Sequence, residues 1–599
     1  MTVLSDRSVD DAAEVRWDLE PLVADLGGWE AAILASEAKI AEIETARSTI
    51  ADLDAPGVRA LVDALGEVTD LLSRAMSYVS LNMSTDVSDP ERGQAYAAAS
   101  EQVTALSNRI LFFNLEWAKL DDAAVDALLS DEHLAPHRHH LRAARRYRDH
   151  LLSESEEQIL ADKGRTGRQA WVRLFGELTS TLEVTIEGAT TTLEGGLSRL
   201  SDPSGEVRAA AAAAVTEALA PGLRTRAFIF NTLLADKATD DRLRGYDTWI
   251  SSMNLANEAS DTSVDALVDS VVNRYDIPQR WYALKARILG VDTLSDWDRS
   301  AAVVDADERF SFSEAKDIVL DAYASFSPEL ASAGARFFDE GWVDAPSVPG
   351  KRNGAFCSYT VPSHHPYLFL NWTYKRRDVL TLAHELGHGL HAYMARPQGI
   401  FQQSTGLTLA ETASVFGETV TFGRLLEATD DPNQRLALLA ESIEGAIATV
   451  FRQTAMNRFE NSVHTARRTE GELSVERFGE LWTQSQEALF GSSVEVTEGY
   501  RSWWSYIPHF MGSPGYVYAY AFGQLLALSV YRQYTEQGSD FVPRYLRLLS
   551  SGSSAPPEEL AMIVGCDLTD PGFWDGGLSI VETQLEAAEA AAFEAGRLH

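Results

Sequence analysis

Three residues in the run Thr381-Leu-Ala-His-Glu-Leu-Gly-His-Gly-Leu390 have the types and spacing to do chemistry: His384, Glu385 and His388. On a helix, positions i and i+4 sit one turn apart on one face. Both imidazoles of this His-Glu-x-x-His pattern then reach a single tetrahedral zinc, and Glu385 leans over beside the metal as a carboxylate base. That is the arrangement of a zinc hydrolase. With only 13 histidines in 599 residues a chance match is rare. The surroundings also read as helix: Val379 to Met394 holds no proline, carries apolar residues at helical spacing, and is closed by Pro397.

Two histidines leave zinc in need of a third protein donor and one open position for water. One class of such sites takes a third histidine six residues beyond the second, after a glycine. Here His391 and Met394 stand where Gly and His are required, which closes that route. The other route uses a glutamate from a following helix. The stretch Thr408 to Glu418 is such a helix, with Glu411 and Glu418 two turns apart on roughly one face. Glu411, behind the apolar Leu409-Ala410, is the expected ligand, against the alternative of a solvent-facing helix charge. Glu418 is the fallback, or a carboxylate that orients an imidazole.

A second histidine-rich stretch, His133, His137, His139, His140 and His150, is interleaved with Arg138, Arg142, Arg145, Arg146 and Arg148. Cationic neighbours repel a metal ion and no thiolate is near, so this reads as a solvated basic face. His364 and His365 sit in the turn Pro362-Ser-His-His-Pro366 and read as loop residues.

Composition narrows the function classes. A net charge of −37 argues against binding a phosphate backbone, so no nucleic-acid partner is expected. The longest apolar stretches, such as Tyr516 to Val530, fall short of the roughly 18 residues of a membrane helix, so no membrane partner is expected either. Met1 to Val15 carries charges and no apolar segment, unlike a secretory leader. Cys357 and Cys566 are the only cysteines, too few for a disulfide framework, which favours a reducing, cytoplasmic location.

The elements that must position the motif are mostly helical. Trp29 to Ile43, Gly57 to Leu81 and Glu91 to Leu115 read as helical hairpins, and 118 to about 180 stays helical. Leu182 to Glu194 reads as a small hairpin, ahead of a breaker cluster at Ser201-Asp-Pro-Ser-Gly205 and an Ala-rich helix. Two strand-like runs, Phe356 to Val361 and Tyr367 to Trp372, directly precede the motif helix. Their edge backbone offers a place to hold a peptide as an added strand. The expected division is 1–117, helical hairpins; 118–200, a helical domain ending in the hairpin; and 201–599, the domain with the metal motif.

The run Arg377 to His388, together with Ala410-Glu-Thr-Ala-Ser414, resembles the oligoendopeptidase F branch of the thimet oligopeptidase family. The likeness extends to Trp17-Asp-Leu19, Gly350-Lys-Arg-Asn-Gly-Ala355, Pro508-His-Phe510 and Asp567-Leu-Thr-Asp-Pro571, nearly end to end. The resemblance implies a mainly α, two-lobed, zincin-type metallopeptidase with a deep substrate channel and a small sheet next to the active-site helix. It implies one zinc per chain and endopeptidase action on short, unstructured oligopeptides. It also implies a second catalytic segment, His509 to Tyr520, in which His509 and Tyr516 donate to the developing oxyanion and Tyr520 contacts substrate. The loop Gly512-Ser-Pro-Gly515 departs from the branch's aromatic-rich sequence, which leaves the tyrosine register open among 516, 518 and 520. The rival readings are a catalytically inactive peptide-binding protein of the same fold, and a zinc exopeptidase or amidase.

Overall fold

A computed structural model describes residues 11–164, 166–304 and 308–598. The first ten residues of the stretch read above for a leader lie outside these. The chain is mainly helical, as expected. It forms two compact units, each assembled from separated stretches: residues 1–148, 307–427 and 530–566 make the first, and 149–306, 428–529 and 567–599 the second.

The first unit begins with the expected helical hairpins. Helices Trp29–Ile43, Ala55–Thr85 and Pro90–Ile110 bury Ile33, Ile40, Val58, Leu65, Val68 and Leu72 in one cluster. The last two start alike. An aspartate side chain, Asp54 or Asp89, accepts hydrogen bonds from first-turn amides, and a proline stands in the first turn where its missing N–H costs nothing. The third helix ends sooner than its periodicity predicts, and a separate helix, Phe112–Lys119, follows.

Three strands then precede the motif helix, in the order Val343–Pro346, Tyr367–Trp372, Phe356–Ser358. Tyr367–Trp372 has the predicted bounds. It pairs antiparallel with Phe356–Ser358, in the register Phe356 to Phe369 and Ser358 to Tyr367, and parallel with Val343–Pro346. Phe356–Ser358 is thus an edge strand, shorter than the sequence predicts. The central strand is buried on both faces, with Tyr367, Leu368 and Phe369 inaccessible to solvent. Trp17, from the resemblance motif near the start of the chain, packs edge-on against Tyr367 and tilted against Phe369, with ring centroids 5.9 and 5.6 Å away. Lys351 ties the connecting loop to the sheet. Its buried ammonium donates to the Asp344 carboxylate at 2.6 Å and to the carbonyls of Pro346 and Leu370, so the buried charge is paired and hydrogen-bonded.

The second unit contains the predicted hairpin, Glu183–Ile186 paired antiparallel with Ala189–Thr192. Its two-residue turn places Glu187 and Gly188 at φ 53° and 84°, the geometry whose twist matches a hairpin. The core of this unit is aromatic: Phe230 stacks on Phe478, Trp504 and Phe510. The Ala-rich helix Gly205–Leu219 packs into the same cluster through Ala212 and Val215.

Candidate metal centre

The motif lies on the helix Arg376–Ala395 in the first unit. Asp378 fixes where that helix starts: its carboxylate accepts hydrogen bonds from the amide and hydroxyl of Thr373, at 2.7 and 2.9 Å, and from the Lys375 amide. Val379, Leu382, Ala383, Leu386 and Leu390 bury the opposite face. Glu411 and Glu418 lie on the next helix, Leu407–Glu427.

These two helices meet without side chains between them at one point. A Cβ added at Gly387 would lie 2.4 Å from the Ala413 carbonyl oxygen and 2.6 Å from Ser414 Cα, both backbone atoms that cannot swing away. Two residues before Ala413 is Glu411, so this close approach sets how far the carboxylate must reach. Gly417 makes a second contact, in space filled by the Tyr323 hydroxyl, which donates to the Ala383 carbonyl at 3.1 Å. Gly387→Ala is expected to force the helices apart. The cost is about 1–3 kcal/mol of stability, as for overpacking elsewhere, with weaker metal binding; thermal denaturation and a competitive metal titration read the two effects.

His384 and His388 stand on the helix face turned toward this crossing, ring planes 83° apart and centroids 4.9 Å apart. His384 Nε2 lies 3.4 Å and His388 Nε2 3.6 Å from one oxygen, Glu411 Oε2. Among the described residues, His384, His388 and Glu411 are the one group of three or more His, Cys, Asp or Glu side chains whose ligand atoms converge. Ser414, one helical turn beyond Glu411, donates to that same oxygen at 2.8 Å and holds the carboxylate.

Glu418 reaches the other side of the histidine. Its Oε2 lies 3.2 Å from His384 Nδ1, while Glu411 faces Nε2. Of the two roles open to it in the sequence, the geometry matches the orienting carboxylate. Glu418→Ala is expected to lower metal affinity by about 10–100-fold, the usual effect of losing a partner that orients a ligating imidazole; equilibrium metal competition measures it.

The titratable groups are tuned by burial and by one another. Burial disfavours the charged form of His384, but the carboxylates of Glu418, Glu411 and Glu385 outweigh it and lift the imidazole to about 9. Burial holds His388 below its ordinary value despite Glu411 nearby. Glu385 is 7 % exposed. Burial pushes its carboxyl up to about 7, with His384 opposing, Glu411 adding, and the backbone amide of Cys357 stabilising the charged form. The edge strand Phe356–Ser358 therefore runs close to Glu385. A dication placed among these carboxylates meets the field that stabilises positive charge on His384.

The donor set fits a metal ion. Two imidazole nitrogens and one carboxylate oxygen, all within 4.8 Å of one another, are a donor set of the kind that can hold a metal ion. Bonds of roughly 2.0–2.1 Å in a tetrahedron separate ligand atoms by about 3.3 Å, close to the two distances to Glu411.

Several of the other described histidines are placed differently. His137 pairs with Asp63 at 2.9 Å, His140 stacks on Phe401 at 4.2 Å, and His150 approaches the Arg244 carbonyl and stacks on Tyr246. His365 stacks on Trp342 in the loop, and His391 is buried in the motif helix. His509, Tyr516 and Tyr520 lie together in the second unit. His509 Nε2 is 3.3 Å from the Tyr520 hydroxyl, and its ring stacks against Tyr516 with centroids 5.9 Å apart. Tyr518, the third tyrosine of the open register, is buried instead and accepts a hydrogen bond from Asn257. Sequence reasoning missed Ser414 and the Cys357 amide. Helical spacing from Glu411 carries a signal for the first; nothing short of the sheet register carries one for the second.

The family model described as Peptidase family M3 matches residues 198–580, and the one described as Oligopeptidase F matches 116–183. The chain belongs to peptidase family M3. It is 26 % identical over 601 residues to Oligopeptidase PepF of Bacillus subtilis, covering 98 % of this chain and 88 % of the relative. It is 26 % identical over 585 residues to an oligoendopeptidase F homolog of Borreliella burgdorferi, covering 95 % and 97 %. In fold it is similar to the crystal structure of oligoendopeptidase-F from Enterococcus faecium, with a TM-score of 0.71 and 23 % identity over 94 % of this chain and 98 % of that one. This M3 chain is a metallo-oligopeptidase, so its substrates are peptides. No helix among the described residues is long and apolar enough to cross a membrane.

Proposed function

We propose that this M3 peptidase is a zinc-dependent endopeptidase that hydrolyses short, unstructured oligopeptides, with His384, His388 and Glu411 holding one zinc per chain and Glu385 as the general base. The observation that carries the reading is the convergence of the two imidazoles on Glu411 Oε2, at 3.4 and 3.6 Å, with Glu385 on the adjacent position of the same helix. When bound, the ion supplies Lewis-acid polarisation and makes water a usable nucleophile near neutral pH. The protein's own groups do the rest. Glu385 takes a proton from the attacking water on its carboxylate and delivers it to the leaving amine nitrogen. Glu418 holds the His384 ring through Nδ1. A peptide lying along the edge strand Phe356–Ser358 as an added strand passes beside Glu385. His509 and Tyr516 donate to the oxyanion and Tyr520 contacts substrate, roles taken from the family resemblance. The two free thiols accord with a reducing, cytoplasmic compartment.

End-blocked peptides separate this reading from its rivals. A quenched fluorescent peptide of about ten residues, acetylated and amidated at its ends, is expected to be cut internally. Release of single terminal residues from free-ended peptides alone would make the protein an exopeptidase. Binding of peptides without cleavage would make it a peptide-binding protein.

A further inference from the structure

The segment that carries His509, Tyr516 and Tyr520 is fastened from outside at three points, all within the second unit. The side chain of Arg168 donates to the Gly512 carbonyl at 2.6 Å. Asn257 donates to the Tyr518 hydroxyl at 2.9 Å. Between them, the Gly515 amide donates to Glu460 Oε1 at 2.9 Å. This third contact is the unusual one. Glu460 is 1 % exposed, and its other oxygen has no hydrogen-bond partner among the described residues. A buried carboxyl without a cation is expensive and needs a reason to be there. Gly515 sits at φ 79°, which favours glycine, with Trp249, Ile250 and Met253 packed where a side chain would begin. The residue after it is Tyr516, whose ring stacks on His509 and meets Tyr520 at 89°.

We propose that Glu460 is a positioning residue for the peptidase reaction: through the Gly515 amide it fixes the turn that sets the Tyr516 ring and the Tyr520 hydroxyl against His509. The inference rests on the roles given to those residues under the proposed function. Burial pushes the Glu460 carboxyl up to about 8, so near neutral pH it is a neutral acid whose carbonyl oxygen accepts from the amide. Glutamine offers the same acceptor at the same reach. Methionine offers none, and aspartate falls one methylene short.

The test is a set of kinetic variants of the full-length, zinc-loaded enzyme on one end-blocked peptide. Glu460→Met and Glu460→Asp are expected to lower kcat about 10–100-fold, the scale of a misplacement of about 1 Å, with KM and zinc content little changed. Glu460→Gln is expected to stay within about threefold of wild type. In a Tyr516→Phe/Tyr520→Phe background, already slow, Glu460→Met should cost almost nothing further, because the groups it positions are gone. If the double phenylalanine variant turns over like wild type, the roles assigned to the tyrosines fail. If that variant is slow but Glu460→Met costs its full factor in both backgrounds, or if Glu460→Gln is as slow as Glu460→Met, the positioning role is wrong. Should the methionine variant not fold, the aspartate variant carries the same comparison.

Discussion

Glu411→Ala is expected to yield a folded protein that no longer retains its metal through purification and no longer cleaves peptides. Three protein donors meet at the site, and Glu411 is the one that both imidazoles face, with its carboxylate oxygen 3.4 and 3.6 Å from their Nε2 atoms. Removing it takes away a charged donor and one of the three protein ligands. The loss in affinity should exceed the roughly 10–100-fold that follows from losing an outer partner such as Glu418. Glu411 is partly exposed and paired with Ser414 and the histidines rather than buried in the apolar core, so its truncation leaves no large cavity. Metal content by mass spectrometry, circular dichroism and peptide turnover on one preparation check the three parts. A variant that keeps metal and turnover would move the third ligand elsewhere.

Glu385→Gln is expected to give the complementary result: metal retained, KM little changed, and kcat lower by about 10²–10⁴, the usual contribution of a general acid–base group. Glutamine has nearly the shape of the native side chain, so the buried site stays filled. What it lacks is a basic oxygen that can take a proton from water and return it to the amine. Together the two variants split binding from chemistry, since one abolishes both and the other only the chemical step. Undiminished cleavage by Glu385→Gln would remove the carboxylate from the mechanism.

How much of this was legible in the sequence varies with how local the determinant is. The motif helix was, because its apolar period, its lack of breakers and Pro397 are all properties of adjacent residues; Val379 to Met394 grows by only a few residues to Arg376–Ala395. The convergence of Glu411 on the two histidines was accessible by counting donors, since two imidazoles leave a metal ion short of a ligand and a suitable helix followed. The placement of Glu418 at His384 Nδ1 was not. A helical wheel puts both carboxylates on one face but cannot say which ring nitrogen each one meets; that depends on how the two helices cross at Gly387. The strand Val343–Pro346 escaped notice because four residues that include Asp344 and Pro346 have little strand signal of their own, and only pairing with Tyr367–Trp372 makes them one. Cys357 drew attention as a thiol, whereas it is its backbone that lies close to Glu385. Scanning along the chain likewise yields contiguous segments, such as 1–117 and 118–200. The compact units instead join residues 307–427 and 530–566 to the N-terminal hairpins through contacts between distant stretches.

In the proposed mechanism one zinc, held by His384, His388 and Glu411, is required for internal cleavage of peptides. The most direct measurement strips the purified protein with a chelator, adds zinc back in steps, and follows cleavage of an end-blocked quenched peptide against bound metal per chain. Activity is predicted to be absent from the stripped protein, to rise with added zinc and to saturate at about one equivalent per chain. Full activity in the stripped protein, or saturation with zinc without cleavage, would contradict it.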